Sequence, residues 1–393
     1  MSRHSIVTVL LAMTFSGAVA ADAAAQETVK VGLILPMTGQ QASTGKQIAA
    51  AAQLYIQEHD PVIVGKKIQL VIKDDAGAPE TTKRVAQELI VGDKVKFTAG
   101  FGITPSALAV APLSTQAKVP QIVMAAGTSI ITERSPYIAR TSFTMAQSSV
   151  IMADWAAKNG IKKVVTMVSD YGPGHDSEDS FKKRFVEAGG EVVAELRVPL
   201  ASPDFAPFLQ RAHDAGPDAL FIFVPSGQGG IFVRQFVERG LDKAGVKLIG
   251  PGDVTDDDLL DAMGDPVIGT VTAHFYSAAH RSTRNQEFVE AFKKTNRFRP
   301  NFMAVGGYDG MHLIYEALKK TNGSTDGDAL INAMKGMAWE SPRGPISIDP
   351  DTRDIVQNIY IRRVEKVDGE LYNVEFGTFE AIKDPIKLAE KKK

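Results

Sequence analysis

Between residues 29 and 104 the chain spells strand, turn and helix three times in succession, and every strand runs into a turn of small residues. The strands read as 29–35, 68–73 and 97–100. Their turns are Pro36-Met37-Thr38-Gly39, Asp74-Asp75-Ala76-Gly77 and Gly100-Phe101-Gly102-Ile103-Thr104-Pro105-Ser106. Strands and helices alternating at this length imply an α/β fold with a parallel sheet covered on both faces. In such sheets a ligand sits beyond the carboxyl ends of the strands, where strand order reverses. Function is therefore to be sought in those turns.

The rhythm continues with a helix over 104–118, a strand over 121–125, the turn Ala126-Gly127-Thr128-Ser129 and an extended stretch at 139–143. A second series opens with a helix over 147–158, and its strands read as 163–169, 192–198, 219–224 and 247–250. Runs such as Leu220-Phe221-Ile222-Phe223-Val224 are apolar throughout, as expected of strands covered on both faces. The helices are one-sided: Ile48, Ala51, Ala52, Tyr55 and Ile56 share a face opposite Lys46, Gln47, Gln53 and Gln57. The last third holds helices at 285–296, 304–319 and 328–336, then strands at 355–363 and 371–378. Those are too few parallel strands for a third domain. The economical reading has two lobes entered more than once: 27–145 with 276–354, and 146–275 with 355–380, followed by a tail at 381–393.

A chain of 393 residues suffices for two such cores. Its formal charge of -2 offers no electrostatic case for nucleic acid or an anionic membrane surface. Residues 1–25 have the order of a secretory signal: Arg3 and His4, an apolar run at 6–15, then small residues around Ala18-Val19-Ala20 and Ala23-Ala24-Ala25. The apolar run is short for a bilayer span. Cysteine is absent, so disulfides, thiolate metal sites, thiol catalysis and lipidation at a cleaved cysteine are all excluded. The expected location is a periplasm, free of any lipid anchor.

Catalytic patterns are weak. Gly39 to Gln47 imitates a phosphate-binding loop, but its spacing is one residue too long and Gln47 replaces the hydroxyl that would hold magnesium. Gly100-Phe101-Gly102 starts like a dinucleotide fingerprint, with Pro105 at the third glycine. No Gly-x-Ser-x-Gly or His-Glu-x-x-His occurs. Asp256-Asp257-Asp258 reads as helix capping rather than a metal site. His175, after Gly172-Pro173-Gly174, reads as a surface cap. Neither a cofactor nor enzymatic turnover is expected, and a binding protein is the better reading.

The order and spacing of Val31-Gly32-Leu33-Ile34-Leu35-Pro36-Met37-Thr38-Gly39, Asp74-Asp75, Pro203-Asp204-Phe205 and Tyr308-Asp309 carry a resemblance. The chain resembles the periplasmic solute-binding proteins of ABC importers, in the group of the leucine/isoleucine/valine-binding proteins. The resemblance implies a type I periplasmic binding fold: two Rossmann-like lobes joined by three hinge crossovers that close on a small carboxylate. It implies delivery to an inner-membrane permease by a monomer. It also places the ligand carboxylate on Ser106 with Ala126, Gly127 and Thr128, and an aromatic ring, Tyr171, against the ligand body. Ser106 falls in the first turn of a helix, where unpaired N–H groups favour an anion. Phe143, Pro225 (with Ser226) and Tyr276 are further candidates. Two positions depart from amino-acid binders. In the turn Gly250-Pro251-Gly252-Asp253, glycine (Gly252) stands at the best match for the acidic residue that meets an ammonium, with Asp253 one residue on, and Gly127 stands where threonine is common. An ammonium left without a counter-charge is costly, so the expected ligand is an aromatic or hydrophobic acid ahead of a branched-chain amino acid. A sensory module of the amide-receptor type is the alternative.

Overall fold

The computed structural model describes residues 27–201 and 204–391. The expected secretory signal and Pro203 lie outside the described residues. No helix among the described residues is long and apolar enough to cross a membrane.

The first sheet is built from β1 (Thr28–Leu35), β2 (Val62–Ile63), β3 (Lys66–Asp74), β4 (Phe97–Gly100), β5 (Gln121–Val123) and β6 (Ile138–Arg140), in the order β2-β3-β1-β4-β5-β6. All pairs are parallel except the short β2 edge. Helices α1 (Ala42–Glu58), α2 (Pro79–Gln87) and α3 (Thr104–Ala117) connect these strands. Strand order reverses on the two sides of β1, so the turns after β1, β4 and β5 meet at one edge.

The second series runs α4 (Met145–Lys158), β7 (Lys163–Ser169), α5 (Gly172–Glu187), β8 (Glu191–Val198), α6 (Ala206–Asp214), β9 (Ala219–Phe223), α7 (Gly229–Glu238), β10 (Lys247–Pro251), α8 (Leu260–Met263) and β11 (Val271–His274). Every residue of β9 is buried, which is why its sequence is apolar without alternation. The entry to α4 is fixed by a capping box, Thr144 with Gln147.

The chain then returns to the first lobe. Helices α9 (Thr283–Asn296), α10 (Phe302–Lys320) and α11 (Gly327–Met334) follow, with α9 and α10 packed on α1. Helix α10 lies deep in the core, and glycine lets it approach: a Cβ on Gly306 would stand 2.2 Å from the Met124 carbonyl oxygen. Strands β12 (Ala338–Ser341), β13 (Gly344–Ile348), β14 (Ile355–Val367) and β15 (Glu370–Ile382) complete the second sheet, in the order β12-β13-β14-β11-β10-β9-β7-β8 with β15 on β14. Asp368 and Gly369, both at positive φ (51° and 92°), close the β14–β15 hairpin.

Two boundaries differ from the sequence reading. Residues 338–348, assigned to the first lobe, form a hairpin whose β13 arm pairs with β14, and so extend the second sheet. The β12–β13 hairpin is too short and too rich in Gly and Pro to show a strand pattern, and β11, four residues long, is likewise absent from the expected strands. The segment from residue 381, read as a tail, finishes β15 and then forms α12 (Pro385–Glu390). Lys387 in α12 is buried and pairs with Asp354, which fastens this segment to the core.

Candidate functional site

The turns after β1, β4 and β5 face the turns after β7, β9 and β10 across a cavity of about 380 Å³, its open mouth included. Gln41, Thr44, Ile103 and Thr104 line it from helix entrances of the first lobe, and Tyr171 and Pro173 from the second. Helices α1, α3 and α5 all begin here without a capping side chain. Each therefore leaves first-turn N–H groups and the positive end of its dipole at the rim. Such a rim suits an anion.

A buried arginine holds the neighbouring turn in place. Arg140 on β6 donates from Nη1 to the carbonyls of Ala126 (2.9 Å) and Phe143 (2.8 Å), and from Nη2 to that of Thr128 (2.7 Å). Its Nε meets Asp354 at 2.8 Å. The carbonyls of Ala126 and Thr128 are thus engaged by the guanidinium, in the turn whose Ala126 and Gly127 line the cavity.

The remaining walls are aromatic or acidic. Tyr171 stacks over Phe223 with centroids 6.1 Å apart and planes at 19°. Burial, with a smaller contribution from nearby Asp253, holds the Tyr171 hydroxyl well above its ordinary pKa. Phe143 fills the space beside Gly127, where a Cβ would lie 3.2 Å from the phenyl ring. Asp253, two residues past β10, lines the cavity while only 4 % exposed, and its Oδ2 has no hydrogen-bond partner. Burial pushes its carboxyl up to about 7, against the opposing charge of Arg362.

Contacts between the lobes close the mouth. Ser43 Oγ and Asn301 Nδ2 donate to Asp258 at 3.0 and 2.9 Å. The Ser129 N–H donates to Asp176 at 2.8 Å. Arg299 reaches from the α9–α10 connection to the carbonyls of Asp257 and Leu371 and lies over the Tyr372 ring.

The structure brings Ala126, Gly127, Phe143, Tyr171, Pro225 and Asp253 together around the cavity, with Ser226 beside Pro225. It places Ser106 and Tyr276 elsewhere. Ser106 Oγ lies 2.8 Å from Thr82 Oγ1 and 3.3 Å from Asp75 Oδ2, fully buried on the opposite face of α3. Two residues along a helix turn the side chain through about 200°, so Thr104 faces the cavity where Ser106 was expected. Thr128 stands just behind the rim, its Oγ1 2.6 Å from Thr104 Oγ1. Tyr276 is fully buried, its carbonyl accepting from Arg362. Thr104 was within reach of the sequence, since it is the first helical residue after a named turn. Nothing local to the sequence marked Gln41, Thr44 or Arg140, whose roles depend on which strands become neighbours.

The sequence pattern of the periplasmic binding protein family spans residues 28–370 of this chain. The chain belongs to that family. As a periplasmic binding protein it is 45% identical, over 371 residues, to the Leu/Ile/Val-binding protein homolog 6 of Brucella melitensis, covering 93% of this chain and 95% of that one. Among solved structures it is 71% identical to a solute-binding protein of an ABC transporter from Rhodopseudomonas palustris BisB5, in complex with 3,4-dihydroxybenzoic acid. The TM-score is 0.90, over 92% of this chain and 99% of the other. A second R. palustris solute-binding protein, in complex with 4-hydroxybenzoate, is 43% identical with a TM-score of 0.90, covering 92% and 100% of the two chains. The type I periplasmic binding fold expected from the sequence is thus established. This is a solute-binding protein of an ABC transporter, and the family is one of binders rather than enzymes.

Proposed function

We propose that this periplasmic binding protein captures an aromatic carboxylate in the cavity between its lobes, closes over it and hands it to an inner-membrane permease. The observation that carries this reading is the convergence of three uncapped helix starts on a cavity walled by Tyr171, Phe223 and Phe143. In it, the carboxylate takes the first-turn amides and the Thr104 hydroxyl, supported from behind by Thr128, while Ala126 and Gly127 flank it. The ring lies among the aromatic side chains, with Pro225 at its edge. The complexes of the R. palustris relatives with hydroxybenzoates support the same class. The protein acts as a monomer, is exported by residues 1–25 and needs no cofactor.

One observation favours a branched-chain amino acid instead: the unpartnered Asp253 carboxylate would suit an ammonium. Calorimetry separates the two. The expected result is tight binding of hydroxybenzoates with no heat from leucine, isoleucine or valine; the reverse pattern sinks the aromatic reading. In the same assay Thr104→Val should weaken binding by about 1–3 kcal/mol, the cost of a lost charge-assisted hydrogen bond. Ser106→Ala should leave affinity unchanged.

Closure is testable at Gly172. A Cβ there would stand 3.0 Å from Thr128 Oγ1 across the cleft. Gly172→Leu should hold the lobes apart and weaken binding by about 100-fold, since ligand contacts split between two lobes act only when both are engaged. The melting temperature of the ligand-free protein should barely move. Full affinity in this variant would mean that the lips need not meet.

A further inference from the structure

We propose that Asp253 selects the guest by a ring hydroxyl: its carboxylate accepts an O–H from a hydroxylated benzoate whose own carboxylate sits at the opposite, first-lobe rim. This rests on the aromatic-acid reading above and adds which aromatic acid is preferred.

The argument starts from an unused acceptor. Asp253 is almost fully buried, forms part of the cavity wall, and has an oxygen with no partner among the described residues. A buried acceptor without a donor costs free energy that a bound molecule recovers by supplying one. Asp253 follows β10 in the second lobe, whereas the uncapped starts of α1 and α3 and the Arg140-held turn belong to the first. A guest carboxylate placed beside the ionised form of Asp253 would set two like charges together in a buried corner of the cavity. The guest must therefore turn its anionic end away from Asp253 and present a neutral donor to it. The stacked pair of Tyr171 and Phe223 provides a flat wall between these ends. A benzoate bearing a hydroxyl at the far side of the ring from its carboxylate meets all three requirements. Unsubstituted benzoate meets two and leaves Asp253 facing a C–H edge. Sites built to receive a hydroxyl reject the analogue without it strongly, because the buried acceptor is then stranded.

The neighbouring groups do not relieve Asp253. Asp256 accepts from Ser226 Oγ and the Gly227 N–H, and Asp257 from Asn373 and the Ala278 N–H. Arg362 spends its donors on the Tyr276 and Gly252 carbonyls and on Thr272 and Thr255. Asp253 alone of this acidic run lines the cavity.

The test is calorimetry of benzoate, 4-hydroxybenzoate and 3,4-dihydroxybenzoate against the wild-type protein, Asp253→Ala and Asp253→Asn, with leucine as a fourth titrant. The wild type should prefer the hydroxylated acids over benzoate by about 100-fold or more. Asp253→Ala should reduce that ratio to within about threefold by weakening the hydroxylated acids selectively, and Asp253→Asn, which keeps an acceptor, should retain part of it. A purely structural role would weaken all three acids alike, and the ratio would survive. A preserved ratio in Asp253→Ala, or no preference in the wild type, overturns the inference and leaves the aromatic-acid reading intact. Binding of leucine with none of the benzoates overturns both.

Discussion

Replacing Arg140 with methionine should destabilise the protein by about 3–5 kcal/mol, the usual result of removing one partner from a buried ion pair, and should abolish measurable ligand binding. Arg140 is fully buried and donates to three carbonyls as well as to Asp354. Methionine fills the volume but removes the guanidinium from all three carbonyls, leaving those of Ala126 and Thr128 only long bonds from Ser142 Oγ (3.3 Å) and the Ile131 N–H (3.4 Å), at a further cost. Asp354 keeps Lys387 as its other partner, which sets the loss near the lower end of the range. The binding defect follows from position. With the Ala126 and Thr128 carbonyls released, the turn is free to rotate them toward the cavity, where an oxygen lone pair would oppose an anionic guest. Urea titration measures the first effect and calorimetry the second. An unchanged midpoint with intact affinity would show that the turn holds its shape without the guanidinium.

The buried carboxyls of Asp253, Asp256 and Asp257 should cost the ligand-free protein stability as pH rises from about 5 to 7, opposed by His274 and His312, whose pKa values burial lowers and which therefore favour the fold as pH rises. Burial raises Asp253 to about 7 and Asp257 to about 6, the latter in spite of Arg362 and Asn373. Burial, with repulsion from Asp258 next, also raises Asp256 well above its ordinary range. A carboxyl whose folded pKa exceeds its unfolded value binds more protons when folded. Its contribution is most favourable below the unfolded value near 4, declines as pH climbs to the folded value, and is flat beyond it. Each group can contribute a slope of up to about 1.4 kcal/mol per pH unit within that window. Thermal unfolding at constant ionic strength should therefore show the melting temperature of the wild type falling relative to that of Asp253→Asn as pH rises from 5 to 7. A difference between the two proteins that stays constant over that range would contradict this account.

Much of the fold was legible because two periodicities are strong in this chain. Strands such as β7 and β9 are continuous apolar runs that only a doubly covered sheet explains, and helices such as α1 carry one apolar stripe. The short strands were not legible. Val271–His274 and Gly344–Ile348 become strands because β10 and β14 are there to receive them, which is a property of the assembled sheet. The site divides in the same way. Gly127, Tyr171 and Asp253 sit in turns after strands, and their positions follow from topology alone. The exchange of Ser106 for Thr104 turns on which face of α3 meets the cleft: the helix begins at Thr104 as expected, but only the assembled sheet decides which of two hydroxyls about 200° apart on it faces the ligand. Buried arginines are the least legible of all. Arg140, Arg343 and Arg362 are each fully buried, yet nothing beside them in sequence distinguishes them from surface arginines. Arg343 binds Asp309 at 2.6 Å together with the carbonyls of Thr141 and Ser142, tying the β12–β13 turn to α10 and to the segment between β6 and α4.

The packing of Phe143 against Gly127 bears on how such a receptor changes its diet over evolutionary time. Adding a threonine at 127 while the phenyl ring stays in place forces an overlap, and trimming the ring while glycine stays opens a hole in the wall. Neither single step is neutral, so a lineage moving between flat aromatic guests and amino acids has to alter both positions together or pass through a poorly packed ancestor. Homologues with bulk at one position should be small at the other.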